Sequence, residues 1–269
     1  MPLWRRKRLF TDAPWPTGVG RLVLAQTDST NAHAARLAQQ GTAGPLWILA
    51  LAQTAARGRR GRQWDMAPGN FAATLLMTPQ GAPAAVALRS FVAALALYDA
   101  LADALRVVGA DPASRLSLKW PNDVLLDGGK VAGILLESTS GPQGRSVQHL
   151  AVGVGVNLIA APPLAAVEPG AVCPVSLIGQ GGPNILPEPF LALLAGHFAL
   201  WEDQLTHHGF APIRQAWLAR AARLGQTLIA RLPGREIAGR FEGIDDTGAL
   251  LLQTAQGRET IAAADVFFS

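Results

Sequence analysis

The 269-residue chain is poor in the residue types that carry most covalent and metal chemistry. Its one cysteine, Cys173, excludes an internal disulfide and any multi-cysteine zinc site, and it is compatible with a reducing cytoplasm. The five histidines (His33, His149, His197, His207 and His208) show no HExxH or other metal-ligand spacing, so no protein-borne metal site is expected. A GxSxG nucleophile elbow and a GxxxxGK[ST] phosphate loop are both missing. The start lacks the apolar core of a secretory signal, since Met1 to Arg8 runs into the polar, proline-bearing stretch Thr11 to Thr17. The longest apolar stretch, Ala84 to Ala102, is broken by Arg89, Ser90 and Asp99, short of the roughly 18 uninterrupted residues of a membrane span. The chain therefore reads as a cytoplasmic protein without membrane association, with this stretch as a core helix.

What is present is a globular composition, 49% hydrophobic and 16% charged, with a net charge of +4. The positive excess is local. Arg57, Arg59, Arg60 and Arg62 form one cluster and Arg5, Arg6, Lys7 and Arg8 another, and the remainder of the chain has 15 basic against 19 acidic residues. A broad nucleic-acid surface is disfavoured by that distribution, and a small anionic ligand fits it better.

Hydrophobic patterning divides the chain into a mixed α/β part and a β part. Strands are expected at 21–26, 46–52, 71–78, 116–120, 124–126, 130–138 and 149–159, with helices at 31–40, 83–108, 187–207 and 212–223. Thr27 to Asn31 supplies candidate caps for the first helix. Residues 53–70 form a long polar loop between two apolar strands, 162–183 form another, and Asp127-Gly128-Gly129 reads as a hairpin turn. From Gln226 onward, short β runs at 227–232, 237–244, 249–254, 260–262 and 266–268 read as a small barrel. The segmentation is a 1–20 extension, a main domain over 21–224 and a small domain over 225–269.

Three segments hold candidate chemistry. In QTAARGRRGRQW (53–64), four guanidinium groups and two glycines share a loop, which suits phosphate and carboxylate binding; an exposed basic loop for RNA is the competing interpretation. In KWPNDVLLDGGKVAGILLE (119–137), Asn122 and Asp123 can simply shape a turn. Yet two of the only three lysines, Lys119 and Lys130, fall here among 20 arginines, and a compact ammonium suits a reacting carboxylate beside an α-phosphate. In TDSTN (27–31), hydroxyl and amide groups either cap a helix or line a pocket. Gly153 and Gly155 in VGVGVNL would admit a ligand or a neighbouring backbone.

These four motifs, in this order, resemble those of the biotin protein ligases, and GREIAGRFEGIDDTGALLL looks like the family's SH3-like C-terminal domain; the likeness spans about residues 21 to 269. The resemblance implies an α+β fold, a mixed sheet related to class II aminoacyl-tRNA synthetases followed by a small SH3-like barrel. It further implies that biotin and ATP, with Mg²⁺, give biotinyl-5′-AMP, from which a lysine of the biotin carboxyl carrier domain of acetyl-CoA carboxylase, or of another biotin-dependent carboxylase, takes the biotin. By the same resemblance Ser29, Thr30, Asn31, Gln53, Arg57, Gly58, Arg59, Lys130 and Gly133 hold biotin. Arg59, Arg60, Arg62, Trp64, Asn122, Asp123 and Lys130 attend the nucleotide, with Lys130 and Arg59 as the catalytic cations.

Joining a carboxylate to an α-phosphate needs fixed cations and no covalent nucleophile, in keeping with the missing serine and cysteine motifs. The family usually has glycine where Ala56 stands, so the turn into Arg57 is expected to be less free. The stretch before residue 21 is too short for a winged DNA-binding domain, so no operator binding is expected; a homodimer is left open. Competing functions are a lipoate or octanoate ligase, disfavoured by KWPND before the lysine strand, and a non-catalytic biotin- or nucleotide-binding module.

Overall fold

The computed structural model describes residues 13–62, 64–141 and 146–268; the basic cluster at Arg5 to Arg8 lies outside them. Seven strands build the main sheet: β1 (Gly20–Leu24), β2 (Leu46–Ala50), β3 (Phe71–Met77), β4 (Leu116–Lys119), β5 (Asp123–Leu126), β6 (Gly129–Ser140) and β7 (Val147–Val156). Their order is β1-β2-β3-β7-β6-β5-β4, with β1 parallel to β2 and every other pair antiparallel. The period of two along a strand sends alternate side chains to opposite faces. Trp47, Leu49, Leu75 and Val152 enter the large core, while Ile48, Leu76 and Ala151 meet Ala34 and Leu37 of helix α1 (Thr30–Gln39) on the other face.

The large core is completed by α2 (Pro83–Ala87), α3 (Arg89–Val107), α4 (Pro187–His208) and α5 (Phe210–Leu218). Sequence patterning gives one helix over 83–108, but the chain breaks at Leu88, where the N–H of Phe91 bonds the Leu88 carbonyl three residues back. By length and composition Pro83–Val107 could cross a membrane, yet the most apolar window is 67% buried inside the protein, which identifies a core helix. Helix α5 is shorter than the expected 212–223. Gly209, at φ +73°, separates it from α4, and residues after 218 turn their backbone groups to β4, through Leu118 N–H to Arg220 O and Ala222 N–H to Leu118 O.

The C-terminal strands β8 (Thr227–Leu232), β9 (Arg235–Ile244), β10 (Leu250–Thr254), β11 (Gly257–Ile261) and β12 (Asp265–Phe268) form an antiparallel sheet in the order β11-β10-β9-β8-β12. Phe241, Leu250 and Val266 share the core of the main sheet. The buried Trp120 indole donates to Gly248 O at 3.0 Å, and a Cβ at Gly248 would collide with Phe91, so the turn after β4 is fastened to the small β unit. The α+β architecture is as expected from the sequence, as is the Asp127-Gly128 hairpin, whose two residues have φ of +50° and +78°.

Candidate active site

A cavity of about 900 Å³ opens where the start of α1, the arginine loop, the β4–β5 turn, β6, β7, the 162–174 segment and β12 converge. Ser29, Thr30, Asn31, Gln53, Arg57, Gly58, Arg59, Arg62, Trp64, Asn122, Asp123, Lys130 and Gly133 all line it. Arg60 does not. Residues separated by more than two hundred positions are thus brought to one surface.

One wall is neutral. Ser29 precedes α1, but its side chain makes no capping bond; instead Gln53 Oε1 accepts from the first helical N–H, that of Thr30, at 2.7 Å. The fully buried Thr74 donates its hydroxyl to Asn31 Oδ1 at 2.6 Å and lies 2.8 Å from the Thr30 hydroxyl. The Asn31 amide donates to Leu135 O and Glu137 Oε2, so its donors and its acceptor are all engaged within the protein. A Cβ on Gly153 would collide with that amide. The glycine accordingly admits a side chain of the protein itself, and Gly155 does the same for the Trp64 ring, while both glycines line the cavity. Ala56 is buried with its φ outside the left-handed region, so its methyl group imposes no backbone strain on the turn.

The opposite wall is charged. Asp123 lies between two ammonium groups, 2.7 Å from Lys130 Nζ and 3.8 Å from Lys119 Nζ, with its side chain 12% exposed. Burial pushes the Asp123 carboxyl up, but Lys130 and Lys119 together outweigh burial and hold it below the ordinary carboxylate range. Burial pulls Lys119 down, against the opposing pull of Asp123. Lys130 is fixed along its backbone by the 173–175 segment, which accepts from its N–H and donates to its carbonyl. Its ammonium stands 5.7 Å from the Trp64 ring, and a Cβ on Gly133 would press on both side chains. Arg59 donates to Asn122 Oδ1 at 3.3 Å, while the Asn122 amide is tied to Ile134 O. Burial lowers the Arg59 guanidinium pKa, against Asp265 and Asp123.

The other loop arginines are fastened to carboxylates. Arg60 and Arg62 both reach Asp265 Oδ2 at 2.6 Å, and Arg62 also meets Glu168, whose other oxygen accepts from Arg231. Arg60 holds a left-handed φ of +56° and pairs with Asp265 of β12, a residue of the cavity lining, without lining the cavity itself. Sequence reasoning missed Asp265, Glu168 and Asn157. The two acids carry no motif, and their pairing with the loop arginines crosses more than a hundred residues. Asn157, in VGVGVNL, lines the cavity with an Oδ1 that is buried and without a partner, as is Trp64 Nε1. A buried acceptor and a buried donor beside the cavity are thus left unsatisfied by the protein. Among the described residues no group of three or more His, Cys, Asp or Glu could hold a metal ion.

The sequence pattern of the biotin/lipoate A/B protein ligase family matches residues 23–157, and that of the biotin protein ligase C terminal domain matches 224–269. The chain is 60% identical over 247 residues to a biotin–[acetyl-CoA-carboxylase] ligase of Paracoccus denitrificans, covering 91% of this chain and 99% of that protein. It is 30% identical to the bifunctional ligase/repressor BirA of Bacillus subtilis, over 91% of this chain and 71% of that one. In fold it is similar to the biotin protein ligase from Aquifex aeolicus in complex with biotin and ATP, with a TM-score of 0.75, 22% identity, and coverage of 93% of this chain and 99% of that one.

Proposed function

Because the chain belongs to the biotin/lipoate A/B protein ligase family, we propose that its cavity activates biotin with ATP and passes it to a lysine of a biotin carboxyl carrier protein. The observation that carries this reading is the division of one cavity into a neutral wall of satisfied hydrogen bonds and a wall of clustered cations. The 60% identity to a biotin–[acetyl-CoA-carboxylase] ligase over nearly its full length supports biotin as the acid and acetyl-CoA carboxylase as the source of the carrier.

Biotin lies with its ring system along Ser29, Thr30 and Gln53 and its carboxylate toward Lys130. ATP brings its α-phosphate to the same ammonium and to Arg59. The carboxylate oxygen attacks the α-phosphorus, the bond to the bridging oxygen of pyrophosphate breaks, and biotinyl-5′-AMP remains. Lys130 and Arg59 face the oxygens on which negative charge gathers. In the second step a neutral lysine amine attacks the acyl carbon, the amide forms, AMP leaves to the same cations, and the amine's surplus proton passes to water. Mg²⁺ accompanies ATP as counter-ion of its phosphates, because Asp265 and Glu168 are already paired with arginines and Asp123 with lysines. The protein acts in the cytoplasm and binds no operator DNA; retention of a specific duplex in a gel shift with biotin and ATP present would contradict the latter.

The test is ATP–pyrophosphate exchange with Mg²⁺ and biotin, lipoate or octanoate in parallel. Exchange with biotin alone is expected. Exchange driven by lipoate or octanoate instead would move the assignment to the other branch of the family, and none with any acid from folded protein would leave a binding module.

A further inference from the structure

Glu137, on β6, does not line the cavity but holds two residues that do. One carboxylate oxygen accepts from Asn31 Nδ2 at 2.8 Å and the other stands 3.5 Å from Arg57 Nη2. Asn31 belongs to the start of α1 and Arg57 to the arginine loop, so a single carboxylate joins three separate segments at the rim of the neutral wall. Arg57 also differs from its loop neighbours. Arg59 turns to Asn122, and Arg60 and Arg62 turn to Asp265, toward the charged wall and β12. Among the described residues, Glu137 is the one carboxylate paired with Arg57.

We infer that Glu137 is a positioning residue for acid binding: it draws Arg57 out of the cationic group and holds it against Asn31, as a cover over the body of the bound acid. The inference rests on the ligase reading above. A guanidinium that is 48% exposed and unanchored samples many rotamers, and ordering it on binding weakens affinity. Glu137 orders it beforehand, through a carboxylate that Asn31 itself fixes. Asn31 in turn is locked by Thr74 and by the space at Gly153. The chain of contacts ends at the neutral wall and touches neither Lys130 nor Asp123, so its effect falls on the acid and not on the nucleotide.

Steady-state exchange kinetics of the full chain test this with Glu137→Gln, Glu137→Ala, Arg57→Ala and the double variant Arg57→Ala/Glu137→Gln. The Gln side chain can still accept from Asn31 while losing the charge facing Arg57, so it preserves the fold and isolates the pairing. Expected are rises in the KM for biotin of about threefold for Glu137→Gln and about tenfold for Glu137→Ala, with the KM for ATP changed by less than about twofold. The double variant is expected to be no worse than Arg57→Ala alone, since the two residues act as one unit. An unchanged biotin KM in both Glu137 variants, equal changes in the two KM values, or additivity in the double variant would overturn the inference. Absence of biotin-dependent exchange in the wild type would instead overturn the ligase reading and this inference with it.

Discussion

The two walls of the cavity are built on opposite terms. On the neutral side Gln53, Thr74, Leu135 and Glu137 satisfy the polar atoms of Thr30 and Asn31, leaving a surface whose geometry is set before any ligand arrives. On the charged side Lys119 and Lys130 share the single carboxylate of Asp123, and Trp64 Nε1 and Asn157 Oδ1 are buried without partners. The first wall is complete without substrate. The second keeps more positive charge than the protein answers, and an adenylate or its precursors supply the missing anions. Recognition of the body of the acid and stabilisation of charge are thereby assigned to different residues, with Lys130 meeting the acid only at its carboxylate, and substitutions should separate them.

The largest separation is expected at Lys130. Lys130→Ala removes the ammonium facing both reacting groups and should lower exchange by about 10²-fold or more, as loss of a preorganised charge does elsewhere, while biotin binding measured by calorimetry changes far less. A large loss of biotin affinity with the exchange rate at saturation preserved would merge the two walls.

Asp123→Asn comes next. It leaves two ammonium groups adjacent with no counter-charge, and breaking a buried ion pair in this way costs about 3–5 kcal/mol, readable by urea denaturation. The same group sets a pH dependence. Its folded pKa is depressed below the unfolded value of about 3.9, so its stabilising contribution is present above that value and is lost as pH falls through the folded value. The wild type should lose this increment on acidification and Asp123→Asn should not; parallel acid profiles of the two proteins would contradict the pairing.

Asp265→Asn should act on the nucleotide alone. Releasing Arg60 and Arg62 from β12 is expected to raise the KM for ATP by about tenfold with little change for biotin, consistent with loss of charge-assisted hydrogen bonds. The smallest effect is expected from Arg60→Ala. Its side chain is 41% exposed and lies outside the cavity, so loss of its ion pair should cost no more than about 1 kcal/mol of stability. A large loss of exchange in this variant would put Arg60 back among the residues that touch phosphate.

The contrast between the walls also marks what the sequence could reveal. Strand and helix positions followed from hydrophobic patterning: 46–52 is a continuous apolar run because Trp47 and Leu49 enter one core and Ile48 the other, and Asp127-Gly128 has the turn chemistry a tight hairpin needs. The break at Leu88 left no signal, since a tightened turn needs neither proline nor glycine. Scarcity made Lys119 and Lys130 visible, and the loop glycines made Arg57, Arg59 and Arg62 visible. Arg60 was indistinguishable from them, because only the left-handed turn at that residue and the tertiary placement of Asp265 keep it out of the lining. Glu137 is one acid within a strand, and its role depends on α1 and the arginine loop meeting there, which no local pattern encodes.

The division of labour between the walls is tested most directly by measuring biotin binding and biotin-dependent ATP–pyrophosphate exchange side by side on Lys130→Ala and Glu137→Ala. Lys130→Ala is predicted to lose exchange even at saturating biotin, by far more than the loss of affinity that follows from its contact with the biotin carboxylate, whereas Glu137→Ala is predicted to bind biotin more weakly and recover near-wild-type exchange when biotin saturates. Both variants losing affinity and saturated exchange in the same proportion would contradict it.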